Sequence, residues 1–153
     1  MQWKITVGFL PGVLDSQANT VFKTLKKLGY ERITDVKTAT SYIIDIDVSD
    51  KNQMETIAKR TIVNPVINEY QIQENGEKQD FGDYSAIETK GKLSDPLGNS
   101  TKSSFFDLGH KTDNIQTAKI YLLKGDNLDE KLLREIAEEL LCNPITEEYR
   151  TIL

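Results

Sequence analysis

Apolar and polar residues alternate at the start of the chain, where single polar or small residues separate Trp3, Ile5, Val7 and Phe9. A period of two is typical of a strand with one buried face. The pattern then changes to helical spacing, with apolar residues at Ala18, Val21, Phe22, Leu25 and Leu28. Since Asp15 is a good helix N-cap and Gly29 a good helix stop, this region predicts a strand followed by a helix of about four turns.

The next residues predict a second strand and a second helix. Ile44, Ile46 and Val48 alternate with Asp45 and Asp47, so we expect a longer strand that begins near Val36 and has a solvated outer face. A helix starting at Ser49 or Asp50 places Met54, Ile57, Ala58 and Ile62 on one side, and it must end before Asn64-Pro65. A short strand from Ile67 to Ile72 completes a β-α-β-α-β plan.

The whole plan occurs twice. The segment from Asp15 to Gly29 matches the segment from Asp95 to Gly109 at an offset of 80 residues, and after one deletion the offset is 79, as in Thr38 and Thr117. A register held this long indicates a tandem duplication. We assign residues 1–73 to the first copy, 74–83 to a polar linker and 84–153 to the second copy. The second copy begins with a weaker strand, Tyr84 to Lys90.

A unit of fewer than eighty residues buries little core alone, so we expect the two copies to pack together as one pseudo-twofold domain. The linker then acts like the tether of a covalent dimer. The predicted class is α+β, a two-layer α/β sandwich with helices on one face of a small antiparallel or mixed sheet.

Charge narrows the class of partner. The 153 residues carry a net charge of −5, and the excess lies within Asp126–Leu153, which holds eight acidic and three basic residues. Without a basic stripe, nucleic-acid binding is not expected. We interpret the acidic segment as a solvated helix face; the alternative is a docking surface for a basic partner. The chain has no long apolar run and no signal peptide, so we expect a cytoplasmic protein without a membrane segment.

No set of convergent catalytic groups stands out. His110 is the only histidine and Cys142 the only cysteine, and neither has a companion for catalysis or metal binding. The glycine-rich motifs that hold phosphates are absent. Asp45 and Asp47 share a strand face, but the second copy has Lys124 and Asp126 there, which favours a solvated face over a cation site. We therefore predict no catalytic residue, cofactor or metal in this chain.

One motif survives in both copies although its surroundings have drifted. It consists of Asn-Pro followed, after three residues, by Glu-Tyr, with Asn64, Pro65 and Tyr70 in the first copy and Asn143, Pro144 and Tyr149 in the second. Asparagine can end a helix, proline blocks its continuation, and tyrosine can bury its ring while its hydroxyl finds a partner. We interpret the motif as a structural joint rather than a ligand site.

These motifs resemble those of PurS, the small subunit of phosphoribosylformylglycinamidine synthase. The resemblance covers residues 3–73 well and residues 84–152 more weakly. It rests on Pro11-Gly12-Val13-Leu14-Asp15, Leu28-Gly29, Asp35-Val36-Lys37 and the run from Asn64 to Tyr70. The family's loop pattern, Pro-Gly-Val-x-Asp-Pro-x-Gly, is divided here. The first copy keeps Pro11, Gly12, Val13 and Asp15, whereas the second keeps Asp95, Pro96 and Gly98.

The resemblance implies a non-catalytic assembly role. PurS forms dimers that bridge the glutaminase and synthetase subunits and help ammonia pass between them, while the partners use ATP, Mg²⁺ and glutamine. A duplicated form also resembles the N-terminal domain of large fused synthases, so a free subunit and a segment of a fused chain both stay open. The internal pseudo-dimer leaves further homo-oligomerisation open as well. Partner contacts are expected at the divided loop motif.

Two other classes of function are less favoured by the sequence. A small-molecule-binding regulatory domain is the alternative, since duplicated α/β units often bind ligands where they meet, but no polar pocket signature supports it. An independent enzyme is the least favoured, because the sequence offers no convergent groups.

Overall fold

A computed structural model describes all 153 residues and contains six strands and four helices. The first copy forms strand β1 (Gln2–Phe9), helix α1 (Ser16–Lys27), strand β2 (Ile33–Ile46), helix α2 (Lys51–Thr61) and strand β3 (Asn68–Glu74). The second copy forms strand β4 (Ser85–Gly91), helix α3 (Pro96–Asp107), strand β5 (Thr112–Gly125), helix α4 (Glu130–Ile136), a π-helical turn (Ala137–Leu141) and strand β6 (Glu147–Ile152).

The predicted α+β class is confirmed, and the sheet is antiparallel rather than mixed. Its strand order is β3-β1-β2-β5-β4-β6. In both copies the short last strand pairs with the first, since Ile5 lies opposite Ile72 and Ile87 opposite Thr151. Strand β2 begins three residues earlier than predicted, because Tyr30 closes the end of α1 by donating its amide to the Leu25 carbonyl, and Ile33 is then already buried.

The chain forms two compact units that do not coincide with the two copies. The first unit consists of residues 1–13, 40–78 and 94–118, and the second of residues 14–39, 79–93 and 119–153. Helix α1 of the first copy therefore belongs to the second unit, and helix α3 of the second copy belongs to the first unit. Strands β2 and β5 each contribute residues to both units.

The first unit has a core that combines both copies. The first copy supplies Trp3, Ile5, Val7, Ile44, Ile46, Val48, Met54, Ile57, Ala58, Val63 and Ile72, and the second supplies Phe105 and Ile115. Phe105 is fully buried. The indole of Trp3 donates a hydrogen bond of 2.8 Å to the Val48 carbonyl, so its polar atom is satisfied inside this core. Helix α3 of the second copy thus contributes Phe105 to the core of the first unit.

The second unit is built in the same way with the contributions reversed. Helix α1 and the start of β2 supply Ala18, Val21, Leu25, Ile33 and Val36, and the second copy supplies Ile87, Tyr121, Leu123, Leu132, Leu133, Ile136, Ala137 and Leu141. A smaller cluster of Ala39, Ala86 and Ile120 has Phe81 of the linker packed against it. Neither copy therefore carries a complete core of its own.

Because the core of the first unit is shared, we expect a large loss of stability on removing Phe105, the one aromatic ring that the second copy places in that core. Phe105→Ala should lower the free energy of unfolding by about 3–5 kcal/mol, because it leaves a cavity. Urea unfolding followed by fluorescence measures this, since Trp3, the sole tryptophan, lies in the same core. Phe106→Ala is the matched control: Phe106 is 69% exposed, against 0% for Phe105. Equal midpoints for the two variants would contradict the shared core.

Candidate interaction surface

The loop between β1 and α1 is a tight, exposed turn. The amide of Val13 donates to the Leu10 carbonyl at 3.1 Å, and Gly12 has φ of +85°. This geometry is typical of a type II turn with Pro11 and Gly12 at its two central positions. Pro11 and Gly12 are exposed, and a Cβ built on Gly12 would meet no atom within 4 Å. The turn therefore requires glycine for its backbone conformation and leaves open space around it.

This turn is tied to the Asn-Pro motif of the same copy. Leu10 donates its amide to the Ile67 carbonyl at 2.9 Å, and the Asn68 side chain donates to the Gly8 carbonyl at 2.9 Å. Val66, at the tip of the Asn-Pro turn, is 78% exposed. We call Pro11, Gly12, Val13, Val66 and Ile67 the first loop surface.

The Asn-Pro turn has the same internal hydrogen bonds in both copies. The Asn64 side-chain oxygen accepts from the Val66 amide at 3.1 Å, and the Asn143 side-chain oxygen accepts from the Ile145 amide at 3.0 Å. The main-chain carbonyl of each asparagine accepts two further amides, from residues 67 and 68 or from residues 146 and 147. Pro65 and Pro144 lie within these turns. The motif thus acts as a joint that holds one β-branched side chain outward.

The preceding helices stop at the joint in the same way. Val63 donates its amide to the Ala58 carbonyl, and Cys142 donates its amide to the Ala137 carbonyl, in both cases across five residues. Such wide turns are characteristic of π-bulges. Helix α4 carries this widening over Ala137–Leu141, whereas α2 stays α-helical to Thr61.

The second copy forms an equivalent surface from different residues. Lys92 donates its amide to the Thr146 carbonyl at 2.9 Å and its ammonium to the Pro144 carbonyl at 2.7 Å. Leu93 is 97% exposed and Ile145 is 82% exposed. We call Lys92, Leu93, Pro144 and Ile145 the second loop surface. It is apolar at its tips like the first, but it carries a lysine and lacks the Pro-Gly turn.

Asp15 and Asp95 are engaged inside the chain. Asp15 caps α1 by accepting the Ala18 amide at 3.0 Å, and it also accepts the amide and the hydroxyl of Thr38 at 2.9 Å. Asp95 accepts the equivalent bonds from the Gly98 amide at 2.9 Å and from Thr117 at 2.7 Å. Each aspartate therefore fastens a helix N-terminus to the long strand that follows it in sequence. The sequence predicts the N-cap, whereas its only signal for the threonine partners is their alignment at an offset of 79 residues.

Gly98 and Pro96 also have local structural roles. A Cβ on Gly98 would lie 2.6 Å from the Asp95 carboxylate and 2.7 Å from the Ile115 carbonyl, so only glycine fits at this position. Pro96 occupies the first turn of α3, where its missing amide costs nothing. Of the loop residues predicted to meet partners, Pro11 and Gly12 are exposed and Val13 is half-buried, whereas Asp95 and Gly98 face the interior of their own loop.

The tyrosine of the motif uses its hydroxyl within the chain. Tyr70 donates to Glu55 at 2.6 Å, and Tyr149 donates to Glu138 at 2.7 Å. These two acids are not equivalent, since Glu55 aligns with Arg134 and Glu138 with Lys59. The hydrogen bond from Tyr70, together with the charge of Lys59, holds the pKa of Glu55 below its usual value. The two tyrosines are equivalent, but each donates its hydroxyl to a glutamate at a different position of the preceding helix.

The single histidine, His110, is half-buried, and the single cysteine, Cys142, is buried. Nε2 of His110 is buried without a hydrogen-bond partner. Burial raises the pKa of the Cys142 thiol, and the nearby Glu147 raises it further, which disfavours the reactive thiolate. No group of three or more His, Cys, Asp or Glu side chains is arranged to hold a metal ion. None of the helices has the length and hydropathy that a membrane-spanning helix requires.

The amino-acid sequence matches that of a known protein family. The family described as "PurS: Phosphoribosylformylglycinamidine (FGAM) synthase" matches the chain twice, over residues 2–76 and 86–153. The chain belongs to the PurS family. A similar protein is the phosphoribosylformylglycinamidine synthase subunit PurS of Archaeoglobus fulgidus, which is 31% identical over 65 residues. That match covers 40% of this chain and 81% of the relative.

Two successive family matches confirm the tandem duplication of a PurS unit. The resemblance drawn from the loop and Asn-Pro motifs is thereby confirmed, and it associates the chain with FGAM synthase and purine biosynthesis.

The aspartate–threonine contact predicts a specific loss of stability. Thr38→Val removes the hydroxyl that donates to the Asp15 carboxylate, and bonds to charged groups contribute about 1.5–3 kcal/mol. We expect a loss in this range by urea denaturation. Thr40→Val is the control, because Thr40 lies on the same strand and its hydroxyl makes no hydrogen bond. It should change stability by about 0.5 kcal/mol or less. Equal losses would show that the hydroxyl of Thr38 contributes nothing specific.

Proposed function

We propose that this chain is a non-catalytic assembly subunit or domain of phosphoribosylformylglycinamidine synthase in purine biosynthesis. In this role it bridges the glutaminase and the synthetase and supports the transfer of ammonia between them. The observation that carries the proposal is the family match over both copies. The catalytic groups, together with ATP, Mg²⁺ and glutamine, belong to the partners in this scheme.

The surfaces of the chain support a docking role. In each copy, an exposed strand-to-helix loop lies beside an Asn-Pro turn, and hydrogen bonds hold the two together. The turns expose Val66 and Ile145 almost fully. An exposed apolar tip adds no folding energy, whereas it can anchor a partner once the partner excludes water. Loops held by a rigid scaffold are also the usual carriers of binding contacts.

The two loop surfaces differ, so they suit different neighbours. The first has the Pro11-Gly12 turn, which is compact and uncharged, and the second has Lys92 and the exposed Leu93. A bridge between two unlike partners requires two unlike contact surfaces. Duplication within one chain supplies them, because each copy can change independently.

The first loop surface should matter more for assembly than for folding. Gly12→Val places a β-branched residue at φ of +85° and should cost about 1–2 kcal/mol of stability, which a folded chain tolerates. Reconstituted with the synthetase and glutaminase, the variant should bind its partners more weakly and lower the glutamine-dependent turnover. Turnover with free ammonia should fall less, since that reaction bypasses transfer from the glutaminase.

Gly76→Val provides the matched control. Gly76 lies in the linker with φ of +101°, and a Cβ there also meets no atom within 4 Å. It should therefore cause similar backbone strain and leave both activities unchanged. Wild-type glutamine-dependent turnover in a folded Gly12→Val protein would show that the first loop surface is not a docking element.

A further inference from the structure

A groove of about 290 Å³ lies in the second unit between the end of α1 and the start of α4. The buried side chain of Leu132 and the half-buried ring of Tyr30 contribute its apolar part, and Glu31 and Glu135 are exposed at its edge. Gly29 and Arg32 complete the lining. We call this the α1–α4 groove. Its lining suits a long side chain that has an apolar stem and a polar end.

The carboxylates around the groove have no cation of their own. Glu31, Glu135 and Glu139 take part in none of the ion pairs of the structure, whereas other acids do, including Glu55, Glu88, Glu130 and Glu148. The Tyr30 hydroxyl donates a hydrogen bond to Glu139. This bond, aided by burial and by the charges of Glu139 and Glu135, raises the pKa of Tyr30 to about 12. Two acids, Glu31 and Glu135, thus line the groove against one basic residue, Arg32.

Two cations beside the groove, Arg32 and Lys26, are engaged by main-chain carbonyls. Arg32 donates from its guanidinium to the Asn127 carbonyl at 3.0 Å. Lys26 donates its ammonium to the Glu31 carbonyl at 3.3 Å and lies 5.2 Å from the centre of the Phe22 ring. Both contacts are exposed, and neither brings the cation within ion-pair distance of a groove carboxylate. The acids consequently remain available to a cation from outside.

The equivalent positions of the first unit carry no acidic side chain, and two of them are basic. Tyr30 aligns with His110, and the residues Glu31 and Arg32 align with Lys111 alone. On the facing helix, Glu135 aligns with Thr56 and Glu139 with Arg60. All of these counterparts belong to the first unit. The α1–α4 groove of the second unit would thus attract a cationic group, whereas the equivalent positions of the first unit would repel it.

From this charge difference we propose that the α1–α4 groove docks an arginine or lysine side chain presented by another subunit or domain of FGAM synthase. The stem of that side chain packs on Leu132 and Tyr30, and its charge meets Glu31 and Glu135. Repulsion at the first unit gives the partner one orientation, which two identical copies in a symmetric dimer do not provide. The identity of the partner rests on the proposed function, whereas the cation preference of the groove does not.

The cation preference can be tested on the full chain alone. Nα-acetyl-argininamide, titrated into the labelled protein and followed by NMR, should shift the amide signals of residues 29–32 and 132–135. The uncharged analogue Nα-acetyl-citrullinamide should shift them much less. Replacing both Glu31 and Glu135 with glutamine should abolish the difference. Equal shifts with both probes, no shift, or larger shifts at Arg60 and Lys111 would overturn the proposal.

Assembly provides the second test. Glu135→Lys changes an exposed residue and should weaken binding to the synthetase or glutaminase about tenfold, equivalent to about 1.4 kcal/mol. The loss should shrink as salt concentration rises, because exposed charges are screened. Thr56→Lys is the matched control at the equivalent exposed position of the first unit, and it should leave binding unchanged.

The outcomes separate the two proposals. If the wild-type chain assembles and Glu135→Lys binds as tightly at every salt concentration, the groove is not a docking site and the assembly role stands. If the wild-type chain does not assemble with either partner, the proposed function fails. In that case the probe titration still decides whether the groove prefers a cation.

Discussion

The structure depends on the sharing of each hydrophobic core between the two copies. Helix α1 of the first copy packs in the second unit, and Phe105 of the second copy fills the centre of the first. Burial of apolar surface is the main favourable term in folding, and a chain segment of this size buries little by itself. The copies are consequently bound to each other by the same interaction that folds them. The arrangement also explains why duplication can keep the plan of a PurS unit while the surfaces diverge.

The shared cores require the strand-to-helix loops to be placed accurately, since each loop carries the chain from one unit to the other. Val13 ends a segment of the first unit and Leu14 begins a segment of the second, and in the other copy Leu93 and Ser94 mark the opposite passage. Asp15 and Asp95 lie directly after these passages and bond to both a helix N-terminus and a long strand. A charge-assisted bond at this point orders the loop without an extra element. The exposed residues before each aspartate are then free to vary.

The two copies have diverged mainly at exposed positions. The first copy keeps the Pro11-Gly12 turn, and the second keeps the tight fit at Gly98. Charges have changed more than apolar positions, as shown by Glu55 and Lys59 against Arg134 and Glu138, and by Tyr30 and Glu139 against His110 and Arg60. Core positions resist such change because a buried charge is costly, whereas exposed charges cost little to exchange. One PurS plan thus supports two chemically different surfaces in a single chain.

The sequence by itself determined the duplication, the element types, the helix caps at Asp15 and Asp95, the joint at Asn64-Pro65 and the family. These depend on residues near one another in the chain or on register between the copies, so periodicity and turn chemistry reveal them. Tertiary structure decided which copy supplies which helix to each core, because helical periodicity marks the buried face of α1 or α3 without identifying the strands that this face covers. It also decided that Thr38 and Thr117 bond to Asp15 and Asp95, and that a groove forms beside Tyr30. The contact of Tyr30 with Glu139 spans 109 residues, and no local pattern encodes a pairing of two exposed polar groups at that separation.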